Sequence, residues 1–477
     1  MGIKIEWAKL VEKESKLFTI LPTDTEWKED RTKPKFGVVI SDQTASVQQM
    51  NFSGCGQIIN SGVEFRRRII KKFINENLNY GATHIVLLWD KPWASARRVE
   101  MYSKKRYVVP AADKPVPPGK IRGCDNRFYN PAQAPIPIFD ENTGHGVKVE
   151  DLIREEKMFP LPQLLNAAWT KTQVAVFICR SLWEFAKGLN EHVVFDTPFF
   201  AGDSLCDGQL KCNKSDCIIC PGAKIPRHAE SDVLFLFHIR HLIGFLLHNE
   251  VIMVRGSNDR DLLVVLSFPF DAGIVDRIFW CKGTGQYAMS PQGKWITPGK
   301  LTGKPTSCFE IVNMKLFQTM MGGKNNEMLL SRLMALFFFG GDYCETPTGL
   351  TSTGLFKALF SCELPFVKQS DETSLELSLD ALHCFVQYAR DGSLRCRSLL
   401  SVDTLLKSTH DAFYSLAYYT AFHAEFSSND ISEPVGPELE KFGFSNIVTV
   451  KELFSPMLRP AIAGKKQDPN LFLKYSF

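Results

Sequence analysis

Short apolar runs and amphipathic stretches follow one another along the chain in an order that predicts a parallel sheet. Phe36-Gly-Val-Val-Ile40 and Ile85-Val-Leu-Leu-Trp89 read as buried strands. Between them, residues 63–78 carry Ile69, Ile70, Phe73 and Ile74 on one face and Arg66, Arg67, Lys71 and Lys72 on the other, the mark of an amphipathic helix. Strand, helix and strand in that order form a crossover unit whose strands are parallel and whose helix covers the sheet. The pattern then predicts a helix at Val174–Leu189, a strand at His192–Phe195 and a helix from about Ala229. Strands are expected at Glu250–Val254 and Leu262–Leu266, paired with each other. Met328–Phe339 predicts a very apolar helix running into Gly340-Gly341-Asp342, and residues 402–426 predict helix rich in aromatics. Two stretches break the alternation: a Pro-rich excursion from Val108 to Pro162, and a Cys- and Gly-bearing insert at 199–227. No internal repeat is evident.

Composition narrows the class. At 477 residues, with 44% hydrophobic and 23% charged, the chain is long enough for a large core and has the balance of an ordinary globular protein. A formal charge of +4 permits nucleic-acid binding through local patches without demanding it. The most apolar stretch, Val233–Val254, is broken by His238, Arg240, His241, His248, Asn249 and Glu250, so no membrane span is expected. The N-terminus lacks the basic-then-apolar order of a signal peptide. Thirteen cysteines, most of them in apolar segments, suggest free thiols in a reducing compartment, cytosol or nucleus.

The carboxylates change the picture further. Asp42 follows "GVVIS", Asp90 ends "IVLLW", and Asp259 and Asp261 lie in "GSNDRDLLVVL" beside a predicted strand edge. Glu230 and Asp232 open the helix "AESDVLFLF", and Asp342 follows the last apolar helix. Singly, each reads as a surface acid or a cap. Open α/β sheets bind ligands beyond the carboxyl ends of their strands, and there these seven acids would repel one another. Hard divalent cations remove that repulsion, and an all-oxygen set selects magnesium, with manganese as a substitute. Two such ions about 4 Å apart activate a water and stabilise the leaving oxygen in phosphodiester hydrolysis.

On these motifs the chain resembles the flap-endonuclease/XPG family of structure-specific 5′ nucleases. "MGI", "SDQTAS", "LLWDKP", "HAESD", "NDRD" and "FFFGGDYCETPTGLTSTGLFKAL" occur in the family's order over roughly residues 1–365. The opening "MGIK…LVEKESKLFTIL" is most similar to the flap-endonuclease-like proteins of poxviruses. The resemblance implies a PIN-like core with helices on both faces of a parallel sheet. Residues 1–90 would be its N-terminal part, 91–165 a helical-arch or lid insertion, and 166–339 the rest of the core. A helix–two-turn–helix module would follow at 340–400 and a mainly helical extension at 401–477. It implies that Asp42, Asp90, Glu230, Asp232, Asp259, Asp261 and Asp342 hold two Mg2+ ions. Arg97 and Lys104, two helical turns apart, would face the scissile phosphate. Arg98, Lys105 and Arg106 would bind the DNA backbone, as would the hairpin residues Gly349, Thr351, Ser352, Thr353 and Gly354. The expected substrate is branched, flapped or 5′-ended DNA in replication, recombination or break repair, cut by a monomer.

Several positions depart from the family pattern. Gln48 stands where the family carries a base-stacking aromatic, with Met50 and Phe52 nearby. The hairpin lacks the usual basic side chain, and "QDPNLFLKYSF" does not have the spacing of a sliding-clamp peptide. An RNA-cleaving host-shutoff nuclease and a catalytically inactive scaffold are the competing readings.

One cluster lies outside the resemblance. Cys206, Cys212, Cys217 and Cys220 fall within 15 residues, and only the last two have CxxC spacing. They read either as a structural zinc site that orders a coreless loop or as free surface thiols. His228 could be a zinc ligand or line the acids, and His238 and His241 read as helix-surface histidines.

Overall fold

The computed structural model describes residues 3–22, 35–48, 61–89, 168–196, 210–220, 231–247, 250–257, 259–267, 272–289, 306–323, 325–341, 344–369 and 375–406. It also describes short pieces at 50, 58–59, 115–119, 121–122, 128–129, 139–140, 145–146, 159–161, 295–296, 408–409, 412 and 415.

A nine-stranded mixed sheet organises these residues. Its strands are β1 (Phe18–Pro22), β2 (Lys35–Asp42), β3 (His84–Leu88), β4 (His192–Asp196), β5 (Lys211–Cys212), β6 (Glu250–Arg255), β7 (Ile278–Met289), β8 (Trp295–Ile296) and β9 (Thr306–Asn313). The order across the sheet is β1-β9-β7-β6-β2-β3-β4-β5, with β8 pairing β7. The five strands from β7 to β4 in that order run parallel, and β9, β1 and β5 add antiparallel edges. Among the described residues six helices have nine or more residues: α1 (Gly62–Ile70), α2 (Ala168–Ala186), α3 (Ser231–Leu242), α4 (Asn326–Phe337), α5 (Ser352–Ser361) and α6 (Leu379–Gly392).

Both faces of the parallel strands are covered, which is why they read as unbroken apolar runs. Val38, Ile40, Val86 and Leu88 pack on one face with Leu236 and Ile239 of α3 and Leu333 of α4. Val39, Ile85 and Leu87 pack on the other with Phe65 and Ile69 of α1 and Ile178 and Leu182 of α2. Each strand thus alternates its side chains between two cores, the period of two that a pleated strand imposes. Helix α1 continues through a π-helical stretch, Lys71–Asn75, and a last turn, Glu76–Leu78. Phe73 and Ile74 stay buried, while Asn77 and Glu76 reach buried Arg255 on β6. Arg255 donates to Asn77 Oδ1 at 2.6 Å and to Glu76 Oε2 at 2.8 Å.

The expectation of a parallel α/β sheet holds, with corrections. Leu262–Leu266 is not a strand: Leu262–Val265 is one turn of helix, so Glu250–Val254 has no partner there. All four of its residues are buried, and a run buried all round carries no period to separate helix from strand. Strands β1, β7 and β9 were not anticipated. Beyond β6 the sheet continues with two long strands, β7 parallel to β6 and β9 antiparallel to β7. The described parts of the 91–165 insertion include two small antiparallel pairs, Ile121–Arg122 with Phe128–Tyr129 and Phe139–Asp140 with His145–Gly146. Among the described residues no helix is long and apolar enough to cross a membrane.

The expected helix–two-turn–helix region is built on close backbone approach. A Cβ on Gly354 of α5 would lie 2.6 Å from Cys396 Sγ and 2.7 Å from the Ala389 carbonyl, so α5 meets α6 through a residue without a side chain. Of the 401–477 extension, residues 402–406 are helical, and 416–477 lie outside the described residues.

Candidate functional site

The strand order reverses around β2: β3 and β4 follow to one side, β6 and β7 to the other. Ligand crevices in open parallel sheets form at such a switch point, beyond the carboxyl ends of the strands. Asp42 is the last residue of β2 and is buried. Its Oδ1 accepts from the Ala45 amide at 3.1 Å, capping the short helix Gln43–Gln48.

The chain leaves β6 through Gly256, with φ at +105°. A Cβ there would lie 2.3 Å from the Asp42 carbonyl oxygen and 2.8 Å from both its amide nitrogen and Ser46 Oγ. The backbone after β6 therefore presses directly on the backbone at Asp42. From that contact the chain leads to Ser257 and on to Asp259–Asp261. Trp280 Nε1 donates to the Ser257 carbonyl at 3.1 Å, and the Asp259 amide donates to Ser257 Oγ at 3.3 Å. Buried Asp261 accepts from the Ile3 amide at 2.8 Å through Oδ1, while Arg260 bonds the Ile5 carbonyl. The N-terminal segment thus pins the turn that carries both acids.

Asp232 sits in the first turn of α3. Two turns on, His238 Nε2 lies 2.8 Å from Oδ2 of Asp196, the last residue of β4. Because His238 meets the carboxyl end of β4, the start of α3 carries Asp232 beyond that same end of the sheet. His238 is fully buried, which corrects the reading of it as a helix-surface histidine. Asp196 was not anticipated as a rim residue. The signal was present: "HVVFD" ends on an acid as "IVLLWD" does.

Asp42, Asp232, Asp259 and Asp261 therefore share one end of the sheet. They do not close into a set of three with ligand atoms within 4.8 Å of one another. Asp90, Glu230 and Asp342 lie outside the described residues, as do Arg97, Arg98, Lys104, Lys105 and Arg106 and the histidine at 228. For Gln48 the helix position is described and the side chain is not.

The hairpin at 349–354 shows committed hydroxyls. Gly349 has φ +83°. Thr351 Oγ1 caps α5 by accepting from the Gly354 amide at 3.1 Å. Ser352 donates to Glu6 Oε1 at 2.7 Å, and this bond, with the Lys9 ammonium, holds the Glu6 carboxyl below its ordinary range. Thr353 is exposed. At this helix start the chain's own carboxylate stands where a phosphate was expected.

A basic groove runs between α1 and α2, lined by Arg66, Arg67, Lys71 and Arg180 with Phe177 and Glu184. Arg66 lies over the Phe177 ring, 5.7 Å from its centre. The crossover from β2 to β3 sets the start of α1 toward the acidic rim, and Gly62, its first residue, also lines the groove.

At the opposite end of β4 a second constellation forms. His192, the first residue of β4, meets Cys212 of β5 and Cys217, with ligand atoms of all three within 4.8 Å of one another. Cys212 Sγ lies 3.8 Å from His192 Nδ1, and Cys217 Sγ lies 3.6 Å from Cys220 Sγ. Side-chain contacts with Cys212, first, and with Cys220 pull the pKa of Cys217 far down. Cys212 is pushed up to about 11 by that same contact with Cys217, and Cys220 is pushed up by its contacts with both neighbours. Cys206 lies outside the described residues, and His192 was not anticipated in this set. None of the ten described cysteines is in a disulfide.

No protein-family model matches the sequence, and no curated protein matches it either.

Proposed function

We propose that the chain is a divalent-metal-dependent phosphodiesterase with a PIN-like core, a structure-specific nuclease acting on branched, flapped or 5′-ended DNA. The observation that carries this reading is the contact of Gly256 with the Asp42 backbone at the strand switch point. Through it, one carboxylate from β2 and two from the turn after β6 share a single rim.

The donor chemistry fits magnesium: the rim is made of carboxylates, and no cysteine or histidine ligand is needed. Asp42, Asp259 and Asp261 would hold the ions, with Asp232 from α3 and, by their place in the sequence, Asp90, Glu230 and Asp342. Bound ions there supply an activated water and neutralise charge on the phosphate under attack. The chain's own part is positional. The cap at Ala45 orients Asp42, and the Ile3 amide orients Asp261. Holding reacting groups in place before the reaction is itself a large share of catalysis.

The groove between α1 and α2 supports the choice of a nucleic acid as substrate. Five cations, Arg66, Arg67, Arg68, Lys71 and Arg180, line one groove and suit a phosphate backbone. Arg97 and Lys104 would add positive charge over the scissile phosphate.

Labelled flap, nicked-duplex and single-stranded RNA substrates, each with magnesium, manganese or EDTA, test the proposal. Metal-dependent cutting of the flap or nick supports it. Cutting of RNA alone would keep the metal chemistry and overturn the DNA assignment. No cutting of any substrate under any metal would leave a scaffold.

A further inference from the structure

We infer that His192, Cys212, Cys217 and Cys220 form a structural zinc site of three thiolates and one imidazole, which clamps the 210–220 segment onto the edge of the sheet. With zinc–sulfur bonds of about 2.3 Å and zinc–nitrogen of about 2.05 Å, a tetrahedral site sets sulfurs about 3.8 Å apart and sulfur and nitrogen about 3.6 Å apart. The spacings in the protein are 3.6 Å for Cys217–Cys220 and 3.8 Å for Cys212–His192.

A bare pair of thiols would also sit near these distances, so the weight rests on the convergence of all four side chains. His192, Cys212 and Cys217 offer ligand atoms that all lie within 4.8 Å of one another, and Cys220 Sγ lies 3.6 Å from Cys217 Sγ. Three sulfurs and one imidazole, drawn from β4, β5 and the CxxC turn, thus gather at zinc-ligand spacing. Cys217 and Ile219 are buried in the main core, so the CxxC turn is seated rather than loose on the surface.

The clamp has a defined place. β5 pairs antiparallel with β4, Val194 facing Cys212, and covers the edge of the parallel block. Only two residues long, it could not protect that edge by its ladder alone. Asn213 ties the same spot, its Oδ1 accepting from the Val193 amide at 2.7 Å and its Nδ2 donating to the Ala186 and Glu191 carbonyls. His241 of α3 bonds the Ile219 carbonyl at 2.7 Å, anchoring the CxxC turn from the other side. Four protein ligands close the coordination sphere and leave no position for substrate, so the role is structural. The site also lies at the far end of β4 from Asp196, about 13 Å away along a strand rising about 3.3 Å per residue. It is separate from the acidic rim, and its test does not depend on nuclease activity.

The test is metal analysis of the full-length protein purified without chelators, with cobalt substitution of the same protein. About one zinc per chain, retained on dialysis against magnesium, is expected. Cobalt should give tetrahedral bands with a thiolate charge-transfer band of three-sulfur intensity. Cys206→Ser should keep the metal, whereas Cys217→Ser and His192→Gln should release it and open residues 199–227 to protease. Should these variants fold poorly, the wild-type cobalt spectrum still distinguishes three sulfurs from four. A metal-free wild-type protein with all these thiols titratable would overturn the inference. A Cys217–Cys220 disulfide in the alkylated protein, or metal lost from Cys206→Ser but kept in His192→Gln, would overturn it too.

Discussion

Gly256→Ala puts the geometry of the rim at stake with a single methyl group. The backbone at 256 has φ +105°, a region that costs an L side chain about 1–2 kcal/mol. The new Cβ would also lie 2.3 Å from the Asp42 carbonyl oxygen, where ordinary contact begins at 3.4 Å, so the two backbones must part by roughly 1 Å. Overpacking of that kind costs about 1–3 kcal/mol, for a total near 2–5 kcal/mol. The displacement falls between Asp42 and the turn bearing Asp259 and Asp261, so the carboxylates proposed to hold metal should lose their register. A misplacement of about 1 Å can cost on the order of 100-fold in rate. Gly81→Ala is the internal control: φ is +76°, yet nothing lies within 4 Å of its Cβ. It should lose only the strain term and keep its activity. Urea unfolding and single-turnover cleavage of a flap substrate measure both quantities. Wild-type stability and rate in Gly256→Ala, or equal losses in the two variants, would refute the reasoning.

Other expectations follow from the same geometry. Reversing Arg66, Arg67 and Arg180 to Glu should weaken substrate binding and flatten its salt dependence while leaving the single-turnover rate at saturation near wild type; an unchanged salt slope would remove the groove from the substrate path. Neutralising Arg97 and Lys104 should lower the single-turnover rate more than affinity, whereas neutralising Lys105 and Arg106 should mainly weaken binding; equal affinity losses at all four with an unchanged rate would make the segment an electrostatic landing strip. Glu310, on the β7/β9 hairpin, supplies a pH test. Burial alone would raise its pKa, but hydrogen bonds from Lys282 and Tyr287 outweigh that and hold it below 4.5. Its folded pKa lies under its unfolded one, so the stabilisation is present above pH 4.5 and fades as the pH falls through the folded value. Glu310→Gln should flatten the acid limb of stability measured by circular dichroism; an unchanged limb would contradict the pairing.

The parallel strands β2, β3, β4 and β6 were legible because they are buried on both faces, and such strands show as apolar runs closed by a polar residue. Asp42 and the span Gly256–Asp261 were legible for the same reason, since the acids mark where those runs end. Leu262–Val265 misled because burial on every side erases the period. The β7/β9 hairpin escaped because Ile278–Met289 mixes apolar residues with Lys282, two glycines and Gln286, and its partners lie far along the chain. What no local pattern carries is pairing at a distance. His192 reaches Cys212 across 20 residues, His238 reaches Asp196 across 42, and Ile3 reaches Asp261 across 258. In each case the residue types were visible and the partner was set by the sheet.

Metal binding at the rim is the central claim, and Mn2+ titration followed by electron paramagnetic resonance reports it without a substrate. Wild-type protein should bind manganese in competition with magnesium, and the same samples should cut flap DNA only when the metal is present. Asp42→Asn and Asp259→Asn, each removing a charge with little change in shape, should lose manganese affinity and cleavage together while remaining folded. Manganese binding and turnover at wild-type levels in both variants would contradict the account.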